Sequence, residues 1–356
     1  MNLTPRINRL EPNVIIDGGM EIWPEGTSRS VANNTSLYGS VLFKAQNTAT
    51  GISLTNSQQA SVPANTNLTA SNQISKTAAG TLAAGTFVLN TYFVEGYDVS
   101  KLMRNEFSLI FWVKSSVASS RSVSLGNASQ THTLVKQYAI SQANTWELKV
   151  LKYDPLNTCP GTINRGSGVG LQVNFSVVVG STFQTATLNS WQAGTFLSGI
   201  GEDSTWLTGT NHDFSIAGVM ILPGDWTVLT ASNYDFIRSG RSFQDELMMT
   251  QRYYEKSYDL NTAPLTAADD GSLRFNLASV SPSWNQPVIY KVNKRVQPTF
   301  RAYTPLGVDD RVRDESAAVD RTYSVQKNGQ TSASIQIVGG TTGNIASFHW
   351  TAEARF

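Results

Sequence analysis

The chain has 356 residues, of which 40% are apolar and only 15% charged, with a formal net charge of +1. Charged content well under the roughly 25% of ordinary soluble domains, with almost no net charge, excludes charge-driven disorder and gives no broad electrostatic case for nucleic acid or anionic lipid. A single cysteine, Cys159, and three histidines exclude an intrachain disulfide and a zinc cluster of the usual spacing.

Met1–Pro12 carries Pro5 and charged residues without an apolar core, so it reads as a short arm and not a signal peptide. The longest apolar run, Leu109–Val113, is far short of the roughly 20 residues that a membrane-spanning helix needs. Alternation at period two, broken by Gly, Asn and Ser clusters, then predicts strands at Asn13–Asp17, Gly51–Leu54, Phe87–Val94, Phe107–Lys114, Ser122–Leu125, Trp146–Tyr153, Leu171–Val179 and His212–Leu222. Phe107–Lys114 is nearly all apolar and reads as a central strand covered on both faces. The polar, threonine-rich stretch 58–85 reads equally as a long loop or as ragged strands.

One segment breaks the pattern. In SFQDELMMTQRYYEK, from Ser242, acidic residues come early and basic ones late, which suits a helix dipole, and Ser242 is a candidate N-cap. A helix over 243–254 is expected, with Phe243, Leu247, Met248 and Tyr254 near one face. Beyond it, strands are expected at Ser272–Ala278, Val288–Val292, Thr299–Tyr303, Val319–Gln326, Ser332–Val338 and Ser347–Phe356. The expected fold is all-β: an arm at 1–12, a jelly-roll or β-sandwich domain at 13–240, a short linking helix at 241–258 and a smaller C-terminal β-sandwich at 259–356.

Several segments carry a family resemblance. NVIIDGGMEIWPEGTS (13–28), FSLIFWVKS (107–115), TWELKVLKY (145–153), GLQVNFSVVVGSTF (170–183), WQAGTFLSG (191–199), FSIAGVMILPGD (214–225), SFQDELMMTQRYYEKSYDLNTAP (242–264) and SFHWTAEARF (347–356) stand in the order found in tail-fibre and minor structural proteins of tailed bacteriophages. The chain resembles that family over almost its whole length. Pro24 and Glu25 replace the usual Gln-Arg after the tryptophan, and Met248–Met249 stands where a Leu-Cys pair is common. The resemblance implies a carbohydrate-binding-module-like jelly roll, a place in the virion, homotrimerisation, other virion proteins as partners, and contact with host surface polysaccharide. A head-decoration, head-fibre, baseplate or collar adaptor is the alternative, and a glycan depolymerase or esterase comes third.

Chemistry is scarce. Carboxylate pairs at Glu202–Asp203, Asp269–Asp270 and Asp309–Asp310 sit in turn-like contexts and read as solvated surface. No G-x-S-x-G elbow is present, and Cys159, in NTCPG, lacks a neighbouring histidine. His132, His212 and His349 fall on or beside strands and read as packed or surface residues. GSGVG at 166–170 is a flexible strand entry without the Lys-Ser/Thr or helix of a phosphate loop, so no cofactor is expected. Lys294–Arg295, with Lys291 nearby, reads as a solvated basic face.

Sugar binding has the most support, because aromatic rings stack on the C–H faces of pyranoses while neighbouring amides bond the hydroxyls. The loop tryptophans Trp206, Trp226 and Trp284 are the expected contacts; Trp23, Trp112 and Trp350 are expected in the core. The protein is thus expected to be a non-enzymatic virion subunit, made in the host cytoplasm.

Overall fold

The computed structural model describes residues 13–236, 241–277, 285–339 and 343–356. The arm at 1–12 and Trp284 therefore lie outside the described residues. The chain divides into two compact units: unit 1 comprises residues up to 21, 27–242 and Phe356, and unit 2 comprises Ile22–Gly26 and Phe243–Arg355.

In chain order, the strands of unit 1 are β1 (Ser28–Val31), β2 (Thr35–Tyr38), β3 (Phe43–Asn47), β4 (Leu54–Gln59), β5 (Ser71–Lys76), β6 (Phe87–Glu95), β7 (Phe107–Ser115) and β8 (Ser119–Gly126). They continue with β9 (His132–Ile140), β10 (Glu147–Tyr153), β11 (Val169–Val179), β12 (Gln184–Thr185), β13 (Trp191–Ala193), β14 (Ser198–Gly199) and β15 (His212–Pro223). A one-turn helix, α1 (Thr205–Thr208), precedes β15. Two large sheets result, ordered β1-β4-β5-β15-β7-β10 and β13-β9-β8-β11-β6-β3-β2, with β12 and β14 forming a small parallel pair.

Alternation explains how the large sheets face each other. Phe111 of β7 meets Phe175 of β11 edge-on at 5.1 Å and Tyr138 of β9 at 5.3 Å, so these residues point into the layer between the sheets. Their partners at i±1 must then point outward. On β7 these are Ile110 and Trp112, which pack beneath Trp226, Leu229, Tyr234 and Phe236. The outer face of the six-stranded sheet is therefore itself a covered apolar layer. That is why Phe107–Lys114 is apolar on both faces, as the sequence led one to expect.

In unit 1 one sequence expectation needs correction and one open reading is resolved. Asn13–Asp17 forms no strand. Asn13 Oδ1 accepts from the backbone N–H groups of Ile15 and Ile221, and Ile16 N–H donates to the Tyr92 hydroxyl, so side chains take the place of ladder partners. Asp17 (φ 53°) and Met20 (φ 59°) then turn the chain, and Gly18 lies so close to Val219 O that any Cβ would collide with it. Stretch 58–85 is part strand and part loop: Gln58–Gln59 end β4, β5 occupies Ser71–Lys76 and pairs antiparallel with it from Thr55↔Ser75 to Gln59↔Ser71, and 60–70 and 77–85 are turns and irregular chain.

Unit 2 contains α2 (Phe243–Gln251), then β16 (Tyr254–Lys256), β17 (Leu273–Asn276), β18 (Asn285–Ile289), β19 (Thr299–Tyr303), β20 (Val312–Asp314), β21 (Val319–Arg321), β22 (Tyr323–Asn328), β23 (Ser332–Ile337) and β24 (Ile345–Glu353). Strand β24 is the hub, pairing with β16, β17, β19 and β20, while β18-β23-β22 forms a second sheet. Phe300, Phe348, Trp350, Ile335 and Ile337 centre the core.

The helix is shorter than expected and exposes different residues. It closes through Arg252 N–H to Met249 O and Tyr253 N–H to Thr250 O, after which Tyr254 pairs with Glu353 in the sheet. Phe243 and Met248 are exposed, whereas Glu246 and Thr250 are buried. Its residues group with unit 2 rather than forming a separate linker. Lys294 and Arg295 are likewise not a solvated face. Both are buried, and the Lys294 ammonium donates to Glu255 Oε2 and to the carbonyls of Gln251 and Val292. Among the described residues no helix is long and apolar enough to cross a membrane.

Candidate functional site

The outward residues of the seven-stranded sheet follow from register. With Phe175 inward, Gln172, Asn174 and Ser176 of β11 face out, as do Thr91 and Phe93 of β6, Lys44 and Gln46 of β3, and Ser122 and Ser124 of β8. Apart from Phe93 these positions are polar, in contrast to the apolar outer face of the other sheet, while Phe87 and Leu89 of β6 belong to a small apolar cluster with Val179 and Leu197.

One half of it is roofed. Ser124 Oγ donates to Phe196 O, Gly199 N–H donates to Ser122 Oγ, and Ser176 Oγ donates to Glu202 Oε2. The serines of β8 and β11 thus anchor the 196–202 segment over the sheet. The other half carries a ladder of amides and hydroxyls. Gln46 Nε2 donates to Thr91 Oγ1, which donates to Asn174 Oδ1, across β3, β6 and β11. Two residues along β11, Gln172 accepts from Gln130 Nε2 and donates to Ala128 O.

Two acceptor or donor positions in this array are unused. Asn174 Nδ2 and Gln130 Oε1 are buried without a hydrogen-bond partner, in a residue pair whose other amide atoms are engaged. An unmet buried polar atom costs about 1–3 kcal/mol, so the floor is built with hydrogen-bonding capacity that the fold itself does not use. Beside it stands a group of rings. Phe93 and Phe356 lie 5.8 Å apart at 36°, and the Lys44 ammonium lies 5.3 Å from the Tyr38 ring and 5.9 Å from that of Phe93. Phe93, Phe356, Lys44, Gln46 and Gln130 are half-buried, while Thr91, Asn174 and Gln172 form the buried floor.

The tryptophans expected to make contact lie elsewhere. Trp206 is in α1, not in a polar loop, and is fully buried (0% exposed) with the Lys76 ammonium 5.5 Å from its ring. Trp226 is buried in the layer over β7, and its Nε1 donates to Pro223 O. Neither ring is presented to solvent, which corrects the expectation for both. Their polar flanks (Asp203, Ser204 and Asp225, Thr227) are turn and capping residues, such as Asp203 Oδ1 accepting from Thr205 N–H and Asp225 Oδ1 from Thr227 N–H. Trp284 lies outside the described residues. The core tryptophans Trp23, Trp112 and Trp350 are buried. Trp146 and Trp191 are the half-buried ones, but Trp146 sits with Leu148 and Val150 against an apolar layer and has no amide ladder.

The candidate catalytic groups are dispersed. Glu202 is fully buried, 3.8 Å from Arg121, and burial pushes its carboxyl up to about 7 against the opposing pull of Arg121 and Ser176. Asp309 pairs with Arg301 at 3.4 Å, and Asp269 is an exposed turn residue whose carbonyl accepts from Ser272 N–H. His132 is half-buried next to Thr131. His212 Nδ1 lies 3.0 Å from Ser116 Oγ, and burial lowers its pKa. His349 is stacked on Tyr258 at 3.7 Å, with Nδ1 2.9 Å from Ser257 Oγ and Nε2 2.8 Å from Ala268 O. Cys159 is buried, which raises its thiol pKa. Among the described residues no group of three or more His, Cys, Asp or Glu is arranged to hold a metal.

No family model matches the sequence, and no curated protein matches it. Solved structures to which the chain shows some similarity include the enzymatically active domain of bacteriophage CBA120 tailspike protein 4, at 13% identity and TM-score 0.32, covering 60% of this chain and 21% of that one. The family 11 carbohydrate-binding module of Clostridium thermocellum, in complex with a β-1,3-1,4-mixed-linked tetrasaccharide, is 10% identical at TM-score 0.30 and covers 56% of this chain and 96% of its own. The N-terminal cellulose-binding domain of Cellulomonas fimi β-1,4-glucanase C is 12% identical at TM-score 0.28, with coverages of 57% and 97%. The match spans only about a fifth of the tailspike chain.

Proposed function

We propose that unit 1 is a non-enzymatic glycan-binding module and that the protein is a homotrimeric attachment subunit of a tailed-phage particle, reading host surface polysaccharide. The observation that carries the glycan reading is the half-roofed outer face of the seven-stranded sheet. It sets partly exposed Phe93 and Phe356 rings beside an amide ladder with spare capacity at Asn174 and Gln130. Rings supply stacking on sugar C–H faces, and fixed amides supply directional bonds to hydroxyls. The virion role draws support from the ordered segments of the sequence. The non-enzymatic role draws support from the dispersal of the acids and histidines, each engaged in a local structural contact.

Binding of the purified protein to a panel of bacterial surface polysaccharides, followed by sizing of each polymer, tests this directly. Saturable binding with unchanged polymer length and a trimeric sedimentation coefficient is the expected result. Shortened or deacetylated polymer would replace this reading with an enzymatic one.

A further inference from the structure

Where the strands of the sheet face end, the chain builds a second feature. Just past β6, residues 96–105 turn through a short 3-10 helix, Asp98–Leu102, and meet the 156–168 segment that leads into β11. Between them lies a hollow of about 430 Å³, lined by Ser100, Met103, Arg104, Asn105, Asn157 and Arg165. Two guanidinium groups, two amides and a hydroxyl line it, and no carboxylate does. Neither Arg104 nor Arg165 has an ion-pair or hydrogen-bond partner among the described residues. In a chain of 27 basic and 26 acidic residues, two such arginines sharing one hollow are not explained by a general excess of charge.

The hollow is held in shape by close backbone packing. Gly96 N–H donates to Gly168 O. A Cβ at Gly96 would lie 2.5 Å from Gly166 O and 2.7 Å from Asn164 O, and one at Gly170 would lie 2.8 Å from Gly96 Cα. Only glycine lets the 164–168 segment seat against the 96–99 turn. Asn164 Oδ1 accepts from Gly166 N–H within its own segment, and Asn157 N–H donates to Met103 O, which ties the two segments together. The GSGVG string thus reads as a close-packing element, not merely a flexible entry.

We infer that the hollow between Arg104 and Arg165 is an oxyanion subsite, which selects a sugar bearing a carboxylate or another oxyanion at one end of the glycan-binding face. Guanidinium is the group suited to planar, bidentate capture of carboxylate and to oxyanions of phosphate type. Asn105, Asn157 and Ser100 supply neutral partners for the neighbouring sugar hydroxyls. This subsite rests on the glycan-binding reading, since the anion is taken to be part of the same polymer.

The test uses the full chain, a panel of acidic polysaccharides, the carboxyl-reduced neutral form of each, and inorganic phosphate alone. The wild type is expected to bind at least one acidic polymer ten times or more tightly than its reduced form. R104Q and R165Q should each erase most of that preference without weakening binding to the neutral form, whereas K101Q, a basic neighbour outside the lining, should leave it intact. Equal binding of acidic and reduced polymers would overturn the oxyanion subsite and leave the glycan reading standing. Absence of binding to every polymer would overturn the glycan reading, and the subsite with it. Phosphate binding that R104Q abolishes but that no polymer displaces would show an anion site unconnected to glycan, also against the inference.

Discussion

The two units bury polar groups in opposite ways. In unit 2 two buried lysines are saturated: Lys294 reaches Glu255 and two carbonyls, and Lys256 donates to the carbonyls of Pro24, Leu260 and Thr262. Glu255 completes the set by accepting from the backbone N–H of Lys291. In unit 1 several buried polar groups are left with unused capacity. Nε and Nη2 of Arg121, Oε1 of Glu202 and Nδ2 of Asn174 are without partners, although Arg121 and Glu202 are an ion pair at zero exposure. A closed network fixes one conformation; an open one has bonds to offer a ligand or water. In the proposed reading, unit 2 serves as the scaffold and unit 1 as the binding module.

The largest expected effects come from breaking what is closed or packed. Replacing Lys294 by Met strands the Glu255 carboxylate in the interior of unit 2, and a loss of about 3–5 kcal/mol is expected from urea unfolding. Adding Glu255→Leu to the same protein should recover much of it, because the unpaired charge is gone. Trp206→Ala should cost unit 1 a similar amount, about 3–5 kcal/mol, through the cavity it leaves. The folded fraction of that variant should bind glycan as the wild type does, since the ring faces no solvent.

A smaller effect on stability with a larger one on affinity is expected at the open ladder. Asn174→Leu should lower glycan affinity at least tenfold by calorimetry while changing stability by only about 1 kcal/mol, the net worth of a single hydrogen bond. An equal affinity for the variant would mean that the ladder plays no part in binding. A further effect is one of pH. Burial raises the Glu202 carboxyl to about 7, so the folded state holds this proton more tightly than the unfolded chain does. Its contribution to stability is fully present below about 4.3, the unfolded value, and is lost as pH rises through the folded one. The unfolding midpoint of unit 1 should therefore fall over that window, and Glu202→Gln should flatten the fall.

How much of this was legible in the residues depends on which physics dominated locally. Long strands with covered faces, such as β6, β7, β11 and β15, have the apolar alternation that marks them, and their bounds agree with expectation to within two residues. The polar strands β3, β4, β5 and β9 were missed because their polar residues, among them Gln46, Asn56, Gln58 and Thr133, are held by tertiary contacts that no local pattern encodes. The tryptophans failed for the opposite reason. Trp206 and Trp226 have polar neighbours because those neighbours form tight turns, and polarity of sequence was mistaken for exposure. Phe93 gave no sequence signal of its own, since it sits within a strand whose other rings and aliphatics are core. Only its register against Gln172 shows which way it points.

The central claim is that glycan lies on the outer face of the seven-stranded sheet. Hydrogen–deuterium exchange on the intact protein, with and without a saturating polysaccharide, tests it most directly. Protection is expected in peptides covering 43–47, 87–95 and 169–179, with little change in 254–260 or 285–303. Protection confined to the unit 2 peptides, or unchanged exchange along β3, β6 and β11 at saturation, would contradict the account.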